Sequence, residues 1–538
     1  MTDTTELFCL RPDVVVEPVV AGWYATTQLV SPLAHAMNTA FRHLPIMQSY
    51  IQSPQMHAAA VQDPDLLGGP FIDHPAERAS DVVDLLESTR GAQQDHLKLA
   101  DAVRTAWETL QNRAAGGSMA DIYAAMPDDL RGFLELVYTP GGKPDLRVFE
   151  ALLYRSAHYT PHLQGALIHR ISGDERPFSM STPRFPSPDK FALNRPFSDK
   201  AYDVLGRLRR EPMSRADIAS ALQLNDAEAA AFDAFLTPAS PRAPVEAATQ
   251  SRWRYFGHAC VLVESAGGRS VLVDPVIAYE SGDAPERYTI DDLPDFIDVV
   301  LITHNHPDHV LIETLLALRW KIGTILVARS GGSMVDPSLK SALTAIGFAD
   351  VREVDYLEAV QVGDVSIQAL PFLGEHADLD ISCKAAWLVD AGMRMVFAAD
   401  SNNLDPVLYD RLATSIGRLD ALFLGMECEG APMSWLYGAM LPFAVDRADD
   451  QERRLDGSNA TRARALIESL DVDQVYIYAM GLEPWLKFIT GMAPEDDSTP
   501  MQQSEELLAQ CRQVGMQAQR LYGRATSEDA VETVEFDL

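Results

Sequence analysis

The sequence predicts an α/β chain in two parts, a mixed α/β N-terminal domain followed by an αββα sandwich of two facing sheets. Three observations predict it. A proline-rich break over 237–250 separates helical signals from strand signals. Behind it, short apolar runs alternate with stretches of helical periodicity. One of those runs, IDVVLI at 297–302, leads into a histidine-rich loop and then into a helical pattern.

The N-terminal domain is read over 1–236. Leu85, Leu86, Leu97, Val103 and Leu110 are apolar positions at helical spacing in and just after 79–107. Residues 144–154 also read as helix. Ser214 followed by Asp217 forms a capping pattern ahead of Ile218, Leu222 and Leu224. The stretch 177–200, rich in Pro, Ser and Phe, reads as ordered loop. His158, His162 and His169 are either structural and surface residues or include one that reaches a site. Pro161 argues against a single helix carrying all three. The stretch TPASPRAPVEAAT holds three prolines and no periodicity, which marks the linker at 237–250.

Over 251–538 the texture changes. HACVLVES at 258–265 and SVLVD at 270–274 are β-rich runs joined by a turn, AGGR. Strands are expected again at 297–302, 324–328, 365–370, 384–389, 393–398, 420–424 and 475–478. Helices are expected at 309–320, 337–346, 406–416, 461–470 and 501–519, the last as a C-terminal helical extension.

Composition narrows the function classes. The chain has 538 residues, 47% hydrophobic and 22% charged, the balance of a globular protein with a sizeable core. Its net charge of −33 opposes non-specific nucleic-acid binding. The five cysteines are scattered and form no CxxC, which argues against a disulfide framework and against a cysteine-built zinc or iron–sulfur site. The first residues carry no basic and apolar leader, and no apolar run approaches ~18 residues. A cytoplasmic location is expected.

The sharpest signal is THNHPDHV at 303–310. Alternate side chains at the extended end of a strand point the same way, so His304 and His306 can hold one metal. The turn that follows redirects Asp308 and His309 toward a second metal nearby. The bland alternative is a polar loop with satisfied histidines. Further ligands must come from other strand ends, and four places qualify: Glu375 with His376, Asp400 ahead of Ser401-Asn402-Asn403, Glu427 with Glu429, and Asp274.

THNHPDH resembles the HxHxDH motif of the metallo-β-lactamase fold. GHACVLVES…SVLVDP resembles that fold's opening strands, and VFAADSNN its bridging-aspartate segment. The whole chain resembles the diiron β-hydroxylases of nonribosomal peptide antibiotic biosynthesis, of the chloramphenicol-pathway type. Residues 148–156 and 162–183, Gly374-Glu375-His376 and Met426-Glu427-Cys428-Glu429-Gly430 carry this likeness. It implies one iron held by His304, His306 and Glu375, another by Asp308, His309 and Glu427, and Asp400 bridging. Glu375, Asp400 and Glu427 thereby count as catalytic as well as ligating. It also implies two non-haem iron ions, oxo- or hydroxo-bridged when oxidised, with O2 as co-substrate. The implied reaction is hydroxylation at the β-carbon of an amino acid tethered as a thioester to a carrier domain of a nonribosomal peptide synthetase. The implied partners are that aminoacyl-loaded carrier and an external electron donor or reductase. The N-terminal domain is implied to mediate a homodimer.

The residues support iron beside the resemblance. Zinc hydrolases of this fold recruit two further histidines after HxHxDH, whereas His376 is the one histidine after His309 in this chain. Hard carboxylate ligands with imidazole suit iron or manganese. The competing reading is a dinuclear hydrolase of a thioester, lactone or phosphoester, with metal-bound hydroxide as nucleophile. His376 is expected to face away from a metal that Glu375 meets, and Cys428 to be core. Trp435, Tyr437 and Trp485 either line a substrate pocket or pack. Arg184, Lys190, Arg195, Lys200, Arg207, Arg209 and Arg210 form either a carrier-docking patch or ordinary solvated charge.

Overall fold

Two seven-stranded sheets face each other in the C-terminal half of the computed structural model, which describes residues 6–63, 66, 68–239, 245, 248–374, 378–491 and 494–528. The first sheet runs, in spatial order, Val351–Val354, Ile322–Ala328, Ile297–Ile302, Ser270–Val273, Cys260–Glu264, Arg252–Gly257 and Ala525–Thr526. The second runs Ala359–Val362, Val365–Pro371, Ala385–Asp390, Arg394–Phe397, Leu419–Gly425, Val472–Tyr478 and Gln517–Arg520.

Strict alternation builds the layers. Val299 and Leu301 face the space between the sheets, where Ile367, Trp387, Phe397 and Phe423 meet them. Val300 and Ile302 face outward onto the helix Ile312–Leu318. On the second sheet Phe423 points inward, while Leu422 and Leu424 point out to the helices Val407–Ile416, Ala460–Ser469 and Thr499–Gln513. Strands buried on both faces read as continuous apolar runs, as IDVVLI does. The result is the αββα sandwich that the sequence predicts. In each sheet Ile297–Ile302, Arg394–Phe397 and Leu419–Gly425 lie in parallel pairs, so the loops leaving their C-terminal ends gather at one edge.

The N-terminal part is laid over the first sheet. Its four strands run Trp23–Tyr24, Val14–Val20, Gln164–Arg170 and Phe191–Leu193, all antiparallel. Val14, Val20 and Ile168 share one core with Leu315 and with Leu262 and Leu272 of the first sheet. A buried ion network joins the two parts. Glu17 accepts from Arg176 and Arg184 at 3.0 and 2.9 Å, and Arg176 reaches Glu313 at 2.7 Å. Tyr24 donates to the same Glu313 carboxylate at 3.1 Å. Such a network fixes orientation more than it adds stability, and removing one partner strands the others without a counter-charge.

Several elements depart from expectation. Residues 144–154 are not one helix. Pro144–Val148 pairs with Leu134–Tyr138 as a hairpin, and Glu150–Leu153 is a single turn. Burial of Leu134, Leu136 and Leu146 on one side gives the period of a strand, which a short apolar run does not distinguish from a helix. The first strand of the sandwich is Arg252–Gly257, and His258-Ala259 is the turn that follows it. The expected helix at 309–320 begins only at Ile312. Gly515, with φ +73°, stops the last helix, and Gln517–Arg520 and Ala525–Thr526 then close the edges of both sheets. The C-terminal segment is therefore part of the sandwich and not a helical extension. At the expected linker, Thr237 and Pro238 belong to the strand Leu236–Pro238, paired with Phe8–Leu10; residues 240–244, 246 and 247 lie outside the described ones. Among the described residues no helix is long and apolar enough to cross a membrane.

Glu150 is a second joint between the parts. It accepts from Ser31 Oγ at 2.7 Å and from the Ser338 amide at 2.8 Å. Burial, with Asp336 adding repulsion, raises its carboxyl to about 7 from 4.5. The folded protein thus prefers the neutral acid, so this contribution is complete below about pH 4.5 and is lost as pH rises through about 7. Thermal unfolding from about pH 5 to about pH 8 should show a loss of the order of 2–3 kcal/mol that Glu150→Gln flattens, because an amide keeps both contacts without the charge.

Candidate metal centre

The loop 303–309 leaves the strand Ile297–Ile302 and turns before any helix starts. His306 O accepts from both His309 N at 3.0 Å and Val310 N at 2.9 Å, which folds the chain back on itself. The imidazoles of His304, His306 and His309 are buried together, with ring centroids 4.5 Å apart for His304–His306 and 4.2 Å for His304–His309.

Asp274, at the end of the neighbouring strand, organises this loop. Its φ of 37° lies in the left-handed region and aims its carboxylate at the loop. It accepts from Thr303 N at 2.8 Å, from Thr303 Oγ1 at 2.7 Å and from His309 Nδ1 at 2.8 Å. The Thr303 hydroxyl, its proton committed to Asp274, accepts from His304 Nδ1 at 3.0 Å. Both histidines therefore donate outward from Nδ1 and turn Nε2 inward, the orientation from which Nε2 binds a metal once it gives up its proton.

Asp400 meets them there. Its Oδ2 is 2.9 Å from His309 Nε2 and 3.6 Å from His304 Nε2. Its Oδ1 is buried and has no hydrogen-bond partner among the described residues. The backbone that delivers it needs a glycine across the way: a Cβ on Gly425 would stand 2.4 Å from Ala399 O. Two sets of potential ligand atoms lie within 4.8 Å of one another, His304 with His306 and Asp400, and His309 with Asp308 and His258. Asp400 reaches both sets.

His258 escapes the sequence reading, which treats it as the start of a strand. It sits in the turn at φ +52°, its Nδ1 accepts from Gly481 N at 3.3 Å, and its Nε2 therefore donates to Asp308 Oδ2 at 3.2 Å. The signal was a histidine at a hairpin turn, where Asn or Gly is ordinary. Its neighbour Gly257 is required, since a Cβ there would stand 2.5 Å from the Trp485 ring.

Charge crowds this site. Burial would lower the basicity of His309, but Asp400, Asp308 and Asp274 outweigh it and hold its imidazolium well above the usual range. Burial would likewise raise Asp308, but His309 and His258 hold its carboxyl far below the usual value. His306 goes the other way, pushed down to about 4 by burial. Burial and the charges of Asp308 and Asp400 raise the Glu427 carboxyl well above its ordinary value. Several carboxylates are thus competing for one protonated imidazole. Imidazole lone pairs, hard oxygens and an orphaned Asp400 oxygen fit two divalent cations of iron's kind.

Of the other sequence candidates, Glu427 lines a cavity of about 60 Å³ with His306, Asp308 and Asp400, whereas Glu429 is exposed. Cys428 is half-buried and belongs to neither ligand set. Glu375 and His376 lie outside the described residues; Gly374 before them packs on Asn402. Trp435 lines the cavity, and the Tyr437 hydroxyl is 3.0 Å from His306 Nε2. Trp485 instead packs under Arg287, with 4.3 Å from the guanidinium carbon to the ring. His158 packs edge-on to Phe133, His162 is exposed and His169 stands 3.4 Å from Glu17, so none of the three joins the metal loop. Arg184, Arg209 and Arg210 are spent on Glu17, Val14 O and Leu293 O, which leaves 184–212 without a coherent basic face.

The cavity opens, through Met180, Ala431, Trp435 and Thr490, into a cleft of about 800 Å³ between the N-terminal part and the sandwich. Phe41, Phe71 and Phe178 line it, with Phe178 stacked on Trp435 at 5.2 Å. Arg42, Arg447 and Arg454 are its charged residues, and no acidic residue is among the described ones that line it.

Known proteins share this architecture. Residues 9–240 match the diiron non-heme beta-hydroxylase N-terminal domain, and 252–425 match the beta-lactamase superfamily domain. The 4-amino-L-phenylalanyl-(CmlP-peptidyl-carrier-protein) 3-hydroxylase of Streptomyces venezuelae is 38% identical over 529 residues, which cover 96% of this chain and 99% of that one. The crystal structure of CmlA, a diiron beta-hydroxylase from Streptomyces venezuelae, superposes with a TM-score of 0.90 at 37% identity, covering 97% of this chain and 99% of that one. A glutamate-to-aspartate mutant of CmlA superposes with a TM-score of 0.88 over 96% and 99%. A likeness of this extent, over both parts of the chain, makes this protein a member of the diiron non-heme β-hydroxylase family, an oxygenase whose metals are two iron ions.

Proposed function

We propose that this enzyme hydroxylates the β-carbon of an amino acid held as a thioester on the arm of a nonribosomal peptide synthetase carrier domain. The observation that carries the reading is the cleft that ends on the metal cavity. Its continuity with the metal cavity suits a substrate delivered on a tether, and its aromatic walls suit a largely apolar aminoacyl group. The arginines at the cleft meet the need for local positive charge, since a chain of net charge −33 otherwise repels an acidic carrier.

In this reading His304, His306 and Glu375 would hold one iron, Asp308, His309 and Glu427 the other, and Asp400 would serve both. When bound and reduced, the iron pair would supply the redox chemistry for O2-dependent hydroxylation, in which one oxygen atom enters the C–H bond and the other leaves as water. That balance takes two electrons from outside, so a reductase or small redox protein is a partner. The residues of the chain do the rest. Asp274 and Thr303 keep the Nε2 atoms of His309 and His304 aimed inward. His258 holds Asp308 in place. Met180, Trp435 and Leu436 line the passage by which a substrate reaches the cavity. The N-terminal domain forms the interface of a homodimer, and the reaction is cytoplasmic.

Two measurements test this. Iron content should fall below two per chain in His304→Ala and in Asp400→Ala, and Asp274→Asn should bind iron about 10–100-fold more weakly, as orienting partners of ligands do. Full occupancy and wild-type affinity in all three would refute the assignment. Chemically reduced enzyme given a loaded carrier and oxygen-18-labelled O2 should add one labelled atom to the carrier with its thioester intact, read by intact mass spectrometry. Release of free amino acid without consumption of O2 would select the hydrolase instead.

A further inference from the structure

Two histidines at i and i+2 serve one metal only while the residue between them is held in one conformation, here a bend at 304–305. Here that residue is Asn305, and its side chain points away from the metal ligands into the body of the protein. Both ends of its amide are engaged. Nδ2 donates to Asp336 Oδ1 at 2.9 Å and to Pro337 O at 3.0 Å, both on the segment that precedes the helix Leu339–Ala345. Asp336 is itself held by the Ser382 amide at 3.1 Å.

The other end is held from a different part of the chain. Oδ1 of Asn305 accepts from the hydroxyl of Thr27 at 2.6 Å, and the Asn305 carbonyl accepts from Gln28 Nε2 at 3.5 Å. Thr27 and Gln28 lie on the short helix Thr27–Val30 of the N-terminal part. Thr27, Gln28, Asn305 and Asp336 are all buried, so water does not replace a lost partner. A hydroxyl has one proton to give. The contact to Asn305 is shorter than the 3.2 Å contact of the same oxygen to Gln28 Oε1, so the proton goes to Asn305.

We propose that Thr27 is a positioning residue for the iron-binding loop: its hydroxyl, contributed by the N-terminal domain, fixes the Asn305 side chain at the bend between His304 and His306 and thereby sets both histidines on one iron. The inference rests on the reading of those two histidines as ligands of one iron. It assigns the N-terminal domain a part in the metal centre itself. Without the hydroxyl, the buried Oδ1 has no donor, and the loop gains by rotating Asn305 toward another one. That rotation swings one imidazole off the metal.

Thr27→Val keeps the volume and removes the donor, and Thr27→Ser keeps the donor. The full-length protein is loaded with iron, and its affinity is read by competition with a chelator. The ligand field is read by near-infrared circular dichroism of the reduced site. Thr27→Val should bind the iron of His304 and His306 about 10–100-fold more weakly, with a shifted ligand-field spectrum, and Thr27→Ser should match the wild type. A wild-type affinity and spectrum in a folded Thr27→Val protein would overturn the proposal. Thr27→Ala, which removes the same donor with less bulk, is measured if the valine variant does not fold. Failure of both to fold would also overturn it, because the hydroxyl would then serve the fold and not the loop. A His304→Ala protein with unchanged iron would instead overturn the ligand assignment beneath it.

Discussion

Burying Asp274, Asp308, Asp400 and Glu427 within reach of one another is the constraint on which the rest of the centre depends. Isolated carboxylates out of water are costly, and in a dry site they shift their protonation or find cations. Three imidazoles are packed among them, and one, His309, is held strongly basic by its acidic neighbours. The hydrogen bonds around the centre divide the work. Asp274 faces the Nδ1 side of His309, while Asp400, with an oxygen that no described residue satisfies, faces its Nε2. Two iron ions resolve the excess of negative charge, and their redox chemistry is what a zinc pair in the same fold lacks.

The sandwich supplies the ends of parallel strands, and the N-terminal part supplies closure. The network of Glu17, Arg176, Arg184 and Glu313 clamps the two together. The helical run that begins at Thr27 then does two things along its length. Its start reaches the metal loop through Asn305, and its later residues Phe41 and Arg42 form a wall of the cleft. Arg42 is bonded to the carbonyls of Trp435 and Leu436, so this wall is tied to the segment that lines the metal cavity. The cleft and the centre are therefore built by the same inter-domain contacts.

Much of this was legible in the sequence because it is local. His304, His306, Asp308 and His309 fall within six residues after an apolar strand, so the loop that leaves the strand carries all four together. Asp400 and Asp274 are strand-end acids, and strand ends are where such sheets gather ligands. The choice between Glu427 and Glu429 was not legible, because both share a face of an extended segment; only Glu427 lines the cavity, and Glu429 is exposed. His258 was missed because its partner Asp308 is 50 residues away and its role depends on a left-handed turn. Residues 144–148 were misread because five residues with apolar neighbours fit either period. The basic stretch 184–212 suggested a docking face, but sequence does not reveal that Arg184, Arg209 and Arg210 find their partners indoors.

The proposed centre has two irons side by side, one at His304 and His306, the other at Asp308 and His309, with Asp400 between. Crystals of the iron-loaded protein, measured at energies on either side of the iron absorption edge, test it directly. The account predicts two anomalous peaks, one against each pair of residues, with the Asp400 carboxylate reaching both. A single peak, a pair of peaks that persists unchanged below the iron edge, or iron bound elsewhere in the chain would contradict it.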